Sequence, residues 1–313
     1  MRTETAKTCG AQQPSRHLTP RLLSAAVLIA VATLIVHPFT SQAEPTPRAR
    51  TTVHRTIDAA DLVRDDRTGR TAAPLQQVPG RTRPVVVLYG DSLAWESRAY
   101  FVWDLVAAGA DVETRTYGGT AICDFLDQMR ADASGLKPDA VVIEFSGNAL
   151  TPCVRSAAAG QGGLDLVDTY RADAETVMSI FPAARIYFAG SPVSEKASED
   201  GEVHGAMDGL YREIAAHEAN VRYVDAGAAV LDDCRWTETL SCLPGEPCAG
   251  GTDPLGRSVN VVRAPDGVHF CPAAKDAQRG VTATCPVWSS GAYRYGSAMA
   301  QPVVLDLTTD RQS

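Results

Sequence analysis

Val85-Val86-Val87-Leu88-Tyr89 is an unbroken apolar run that stops at Gly90. A segment apolar on both sides of the pleat has to be covered on both faces, which is the situation of a strand inside a parallel sheet. Further strands are read at Val112 to Tyr117 (stopping at Gly118-Gly119), at Val141-Val142-Ile143-Glu144-Phe145 (stopping at Ser146-Gly147-Asn148), at Arg185 to Ala189 and at Val221 to Val224. Between these runs lie stretches of helical spacing: 95–108, closed by Gly109; 123–133; 164–181, stopped by Pro182; and 205–219, with a last helix expected over 289–300. Strands alternating with helices give an α/β chain whose central parallel sheet is covered by helices on both faces. Residues 232–258 break the alternation; rich in Cys, Pro and Gly, they read as a disulfide-pinned loop. The aromatic cluster at 95–103 reads as core.

The amino-terminal third is different. Residues 22–36, LLSAAVLIAVATLIV, carry no charge, follow Arg2, Lys7, Arg16 and Arg21, and precede Ser41-Gln42-Ala43. That is the order of an export signal's basic, apolar and small-residue parts. Residues 1–43 therefore read as a signal peptide or, alternatively, as an N-terminal membrane anchor through 22–36, with the body outside the cytoplasm in either case. Residues 44–83 lack a sustained apolar period and read as a basic linker or disordered arm. The remaining stretch, 84–313, is the folded domain.

Charge separates along the same boundary. Residues 1–83 hold 12 Lys+Arg against 6 Asp+Glu, and residues 84–313 hold 17 against 31. An acidic body repels phosphate backbones, so nucleic acid is excluded as a partner. With 45% hydrophobic and 21% charged residues, the chain is neither a disordered nor a multi-pass membrane protein. Export also gives the cysteines a use. Cys123, Cys153, Cys234, Cys242, Cys248, Cys271 and Cys285 follow the signal, and their spacing does not make paired C-x-x-C knuckles. Disulfides are expected rather than zinc, with one thiol left over from the odd number. A bridge between Cys123 and Cys153 would tie together two loops at strand ends. No metal site and no cofactor are expected, and the chain is expected to be a monomer.

Open α/β sheets bind ligands at the carboxyl ends of their strands. Three such ends carry Gly90-Asp91-Ser92-Leu93, Gly118-Gly119-Thr120 and Gly147-Asn148; a later segment reads Asp266-Gly267-Val268-His269-Phe270. A serine between strand and helix projects its hydroxyl from the sheet edge, although Asp91 or Ser92 could equally be a helix cap. Serine needs a base to remove its proton, and His269 has the right chemistry. Asp266, three residues before it, can fix the ring's tautomer. The developing oxyanion needs donors, which Ser92 N–H, Gly118 or Gly119 N–H and the Asn148 amide could supply. Each segment alone could be an ordinary turn; three strand ends bearing them together is harder to dismiss. Gly90-Asp91-Ser92-Leu93-Ala94 lacks the last glycine of a G-x-S-x-G elbow, and no Walker A or H-E-x-x-H motif occurs. His204 and His217 read as solvated surface residues.

The set of GDSL at 90–93, glycine at 118–119, Gly147-Asn148 and D-x-x-H at 266–269 resembles the SGNH/GDSL hydrolase family, in the family's order. The resemblance implies a three-layer α/β/α flavodoxin-like sandwich, a nucleophile at Ser92, a base at His269 and its partner at Asp266. It also implies oxyanion donors at Ser92, Gly118 or Gly119, and Asn148, with no cofactor. Many members read Gly-x-Asn-Asp in the third block, whereas here Ala149 follows Asn148. The expected activity is an exported serine esterase acting on short acyl or O-acetyl groups of envelope glycans or lipids. An O-acyltransferase using the same acyl-enzyme and a non-catalytic envelope-binding protein are the alternatives.

Overall fold

Five strands pair in parallel: β1 (Val85–Gly90), β2 (Asp111–Thr116), β3 (Ala140–Glu144), β4 (Arg185–Ala189) and β5 (Val221–Val224). The computed structural model describes residues 82–160, 165–271 and 288–310, with 158–160 and 310 as backbone alone. The segment expected at 1–43 with its apolar run 22–36, residues 44–81 of the arm expected at 44–83, Cys9 and Cys285 lie outside the described residues.

The strand order is β2-β1-β3-β4-β5. This is the flavodoxin-like order, with the topological switch between β1 and β3 and the ligand crevice at the carboxyl ends there. Seven helices complete the described fold: α1 (Ser92–Ala107), α2 (Leu126–Gly135), α3 (Pro152–Gly160), α4 (Leu166–Ile180), α5 (Glu195–Glu199), α6 (Asp208–His217) and α7 (Ser290–Asp310). Side chains alternate across β1. Val86 and Leu88 pack with Phe101 and Leu105 of α1 and with Tyr295, Met299 and Val303 of α7. Val87 and Tyr89 pack with Met129 of α2, Tyr170 and Val177 of α4, and Tyr211 of α6. The sheet is thus the middle of three layers, and the near-continuous burial of β1, β3 and β4 follows from being covered twice, whereas β2 at the edge leaves Asp111 and Glu113 exposed.

Four local features depart from the sequence reading. Helix α7 continues through Pro302 to Asp310, well past 300. Buried Val303 and Leu307 hold the extra turns against the sheet, and Asp306 accepts from Tyr187 and pairs with Arg185 at 2.7 Å and Arg222 at 3.3 Å. That packing outweighs the backbone hydrogen bond a proline cannot make. Residues 232–258 hold short strands as well as loop: β6 (Leu231–Asp232) pairs antiparallel with β7 (Arg235–Trp236), and β8 (Thr239–Ser241) pairs with β9 (Val259–Val261), which follows directly. Trp103 is 52% exposed, so it does not belong to the core that takes Trp95 and Phe101. Arg83, placed in the arm, donates to Gly109 O and to Ala110 O and pairs with Asp111 at 3.1 Å. Among the described residues no helix is long and apolar enough to cross a membrane. A cavity of about 480 Å³ lined by Arg83, Val85, Asp111 and Leu136 lies at the amino ends of β1 and β2, at the far end of the sheet from Ser92.

Candidate active site

Strand β1 hands over to α1 without a linker, and the handover sets the site. Gly90 is required there because a Cβ would come within 2.8 Å of Glu144 O on the neighbouring strand. Asp91 caps α1, its Oδ1 accepting from Leu93 N at 3.0 Å. Its Oδ2 accepts from Ser146 N at 2.8 Å, Ser146 Oγ at 2.6 Å and Asn148 Nδ2 at 3.0 Å. One buried carboxylate therefore binds the end of β1 to the loop after β3. Burial pushes the Asp91 carboxyl up, and the two Ser146 bonds pull it back.

Glu144, the last residue of β3, is also fully buried. Its Oε2 accepts from Ala94 N at 3.0 Å and its Oε1 from Tyr295 OH at 2.9 Å. Burial first, and the Asp91 charge second, hold this carboxyl well above the usual range.

Ser92, first residue of α1, is half-buried, and its Oγ lies 2.9 Å from His269 Nε2. His269 Nδ1 lies 2.6 Å from Asp266 Oδ2. An ionised carboxylate only accepts, so Nδ1 carries the proton and Nε2 presents its lone pair to the serine hydroxyl. Asp266 Oδ1 accepts from both Val268 N and His269 N at 2.9 Å, folding the D-x-x-H turn on itself. Burial acts to raise the Asp266 carboxyl, but those N–H bonds and the imidazole outweigh it, and the net shift is downward. The chain thus brings Ser92, His269 and Asp266, predicted from sequence, into one hydrogen-bonded line.

Gly118 and Gly119 are exposed beside it. A Cβ at Gly118 would sit 3.7 Å from Ser92 Cβ, whereas one at Gly119 (φ +75°) would meet nothing within 4 Å. Gly118 is the glycine that adjoins the serine. Among the described residues, the N–H groups of Ser92, Gly118 and Gly119 have no hydrogen-bond acceptor. The Asn148 amide differs from expectation: both its hydrogens are engaged, one by Asp91 and one by Thr120 O at 2.9 Å. Donation to an oxyanion needs one of these bonds to be shared or released.

A family model for GDSL-like lipases and acylhydrolases matches residues 88–245. The chain belongs to that family. The GDSL segment and the Gly118 and Asn148 loops lie inside the match, while Asp266 and His269 lie beyond it. This GDSL-family chain matches no curated protein. It is similar to the lipase/acylhydrolase of Enterococcus faecalis (16% identity, 62% of this chain and 90% of that one, TM-score 0.39). It is also similar to the acetylxylan esterase Axe2 of Geobacillus stearothermophilus (21%, 47% and 77%, 0.36). A third similar structure is the C-terminal catalytic domain of Streptococcus pneumoniae peptidoglycan O-acetyltransferase A (13%, 74% and 96%, 0.38).

Cys123 and Cys153 are joined in a disulfide, as are Cys242 and Cys248. Cys234 and Cys271 are also disulfide-bonded, so no described cysteine is the thiol left over by counting. His217 is exposed, whereas His204 is half-buried with Nδ1 4.0 Å from Asp208. Among the described residues no group of three or more His, Cys, Asp or Glu is placed to hold a metal ion. Sequence reasoning treated Asp91 as a helix cap alone and passed over Glu144. The available signal was a carboxylate inside an otherwise apolar run, as at Val142-Ile143-Glu144-Phe145.

Proposed function

We propose that this family member is an exported serine esterase in which Ser92 attacks the ester carbonyl. The observation that carries the reading is the Ser92–His269–Asp266 line at 2.9 and 2.6 Å. His269 Nε2 takes the hydroxyl proton as Oγ bonds to the carbonyl carbon. The oxyanion is received by the N–H groups of Ser92 and Gly118, near the positive end of α1, and by Asn148 once an amide hydrogen is freed. His269 then returns the proton to the leaving alcohol, and water activated by the same ring releases the acid. Asp266 stabilises the imidazolium without taking the proton.

The substrate class is a short acyl or O-acetyl ester carried on an envelope glycan or lipid. The exposed loops at 117–119 and 149–150 support this, since they leave the serine reachable from a large polymer. Export is supported by the signal-like residues 22–43 and by disulfides at Cys123–Cys153 and Cys242–Cys248, which persist in oxidising compartments. The test is hydrolysis of p-nitrophenyl esters graded by chain length, beside acetylated glycans, with the wild type and Ser92→Ala. Fastest turnover on the shortest chains, lost in Ser92→Ala, is expected. Full activity in Ser92→Ala would overturn the reading.

A further inference from the structure

Helix α1 carries a second functional group one turn beyond the serine. Ser92 and Glu96 are four residues apart, so they lie on the same face of the helix. Glu96 is fully buried. A carboxylate in such a place needs hydrogen-bond donors, and Glu96 finds them in the chain that follows the histidine. Its Oε2 accepts from Phe270 N at 2.7 Å and from Cys271 N at 3.1 Å.

Residues 265–271 belong to no strand or helix, so no ladder can satisfy those amides. The rest of the His269 backbone is fixed by neighbours. Its N–H donates to Asp266 Oδ1, and its C=O accepts from Ala264 N at 2.6 Å. Gly267 O accepts from Glu195 N at 2.9 Å and from the buried Arg263 at 3.2 Å. All these bonds stay within the loop or reach α5. Glu96 joins this backbone to the helix that bears the nucleophile. We propose that Glu96 is a positioning residue: by holding the two peptide N–H groups after His269, it sets the distance from the imidazole to Ser92.

Two further observations fit this role. Among the charges that act on the Glu96 carboxyl, His269 is the largest favourable one, and it opposes the upward push of burial. An imidazolium formed during proton transfer is therefore attracted by the Glu96 carboxylate as well as held by Asp266. Arg263, itself buried, lies 5.5 Å from the centre of the Phe270 ring and steadies the residue whose amide Glu96 holds. A displacement of the imidazole by about 1 Å is enough to cost on the order of a hundredfold in rate.

The inference rests on the esterase reading, and the test separates the two. Hydrolysis of p-nitrophenyl acetate by the full chain is measured for wild type, Ser92→Ala, Glu96→Ala and Glu96→Gln, each checked for folding by circular dichroism. Glu96→Ala is expected to lower kcat about ten- to a hundredfold with KM within about twofold. Glu96→Gln, whose amide oxygen can accept the same N–H bonds, is expected to recover kcat to within about fivefold of wild type. A folded Glu96→Ala with wild-type kcat, or a Gln variant no better than Ala, overturns the positioning role. If Glu96→Ala does not fold, amide exchange in the wild type decides: Phe270 and Cys271 are expected to be protected, and exchange as fast as at exposed Leu150 overturns the role. Loss of activity in Ser92→Ala beside a normal Glu96→Ala would sink this inference alone; an active Ser92→Ala would sink the esterase reading instead.

Discussion

Asp91 Oδ2 and Asn148 Nδ2 are 3.0 Å apart, joining the residue before the serine to the amide of a loop 57 residues later. The same oxygen holds Ser146 N and Ser146 Oγ, so a single carboxylate assembles two of the three strand ends. Removing it leaves Leu93 N and Ser146 N without their acceptor. Asp91→Ala is expected to destabilise the fold by about 2–4 kcal/mol and to cost activity as well. Urea denaturation beside ester hydrolysis measures both. Unchanged stability would show that the network carries no weight.

Asn148→Ala is a finer probe, because the side chain is only half-buried and is bound to Asp91 and Thr120 alone. If its amide serves the oxyanion, kcat falls about 10²- to 10³-fold with little change in KM. If the amide only braces the loops, kcat and stability fall together by a small factor. Steady-state kinetics with a thermal melt separates these outcomes.

The Cys123–Cys153 bridge joins the segments that directly follow the two loops linked by the Asn148–Thr120 bond. Replacing both cysteines by serine is expected to cost about 3 kcal/mol of stability, from the freedom regained by the unfolded chain, and to lower kcat several-fold as the loops loosen. The Cys242–Cys248 bridge closes a loop remote from the serine in sequence and is tied to the start of α7 through Glu246 and Arg294 at 2.6 Å. Its removal is expected to lower the melting temperature while leaving kcat within about twofold. Equal kinetic effects of the two removals would contradict the assignment.

Much of this was legible in the residues. Strands β1, β3 and β4 were recognisable because burial on both faces leaves a near-continuous apolar signature, whereas the partly exposed β2 and β5 were read from their place in the alternation of strands and helices. The D-x-x-H turn was readable because its contacts are local. What escaped depended on distant partners. Helix α7 outruns Pro302 because Asp306 meets Arg185 and Arg222, which neighbouring residues in the chain do not reveal. The strands β6 to β9 are two or three residues long, too short for a period to register. The roles of Asp91, Glu96 and Glu144 likewise come from partners many residues away.

Asp208 offers a test of the electrostatics away from the serine. Burial lifts its carboxyl to about 7 despite the hydrogen bond from Tyr223 at 2.8 Å. An acid whose folded pKa is raised binds its proton more tightly in the native state. Its contribution to stability is therefore full below the unfolded value near 4 and is lost as pH rises toward 7. Asp208→Asn removes that dependence. At pH 8 the variant is expected to melt a few degrees above wild type, and the gap is expected to close toward pH 4. A constant gap between pH 4 and 8 would contradict the buried, proton-holding carboxyl.

Asp266 behaves in the opposite sense. Its carboxyl is held below the usual range, so its support of the fold and of His269 is present above the unfolded value and is lost as pH falls through the folded one. Asp266→Asn favours the wrong imidazole tautomer and is expected to lower kcat about 10²- to 10⁴-fold at neutral pH. Ester hydrolysis at pH 7 measures it, and a loss below about tenfold would remove Asp266 from the proposed line.

The central claim is that His269 makes the Ser92 hydroxyl nucleophilic. Intact-mass and peptide mapping after treatment with a fluorophosphonate tests it most directly. One adduct on the peptide containing Ser92 is predicted for the wild type, none for Ser92→Ala, and labelling slowed at least a hundredfold for His269→Ala. An unlabelled wild type, or equal labelling of the wild type and Ser92→Ala, would contradict it.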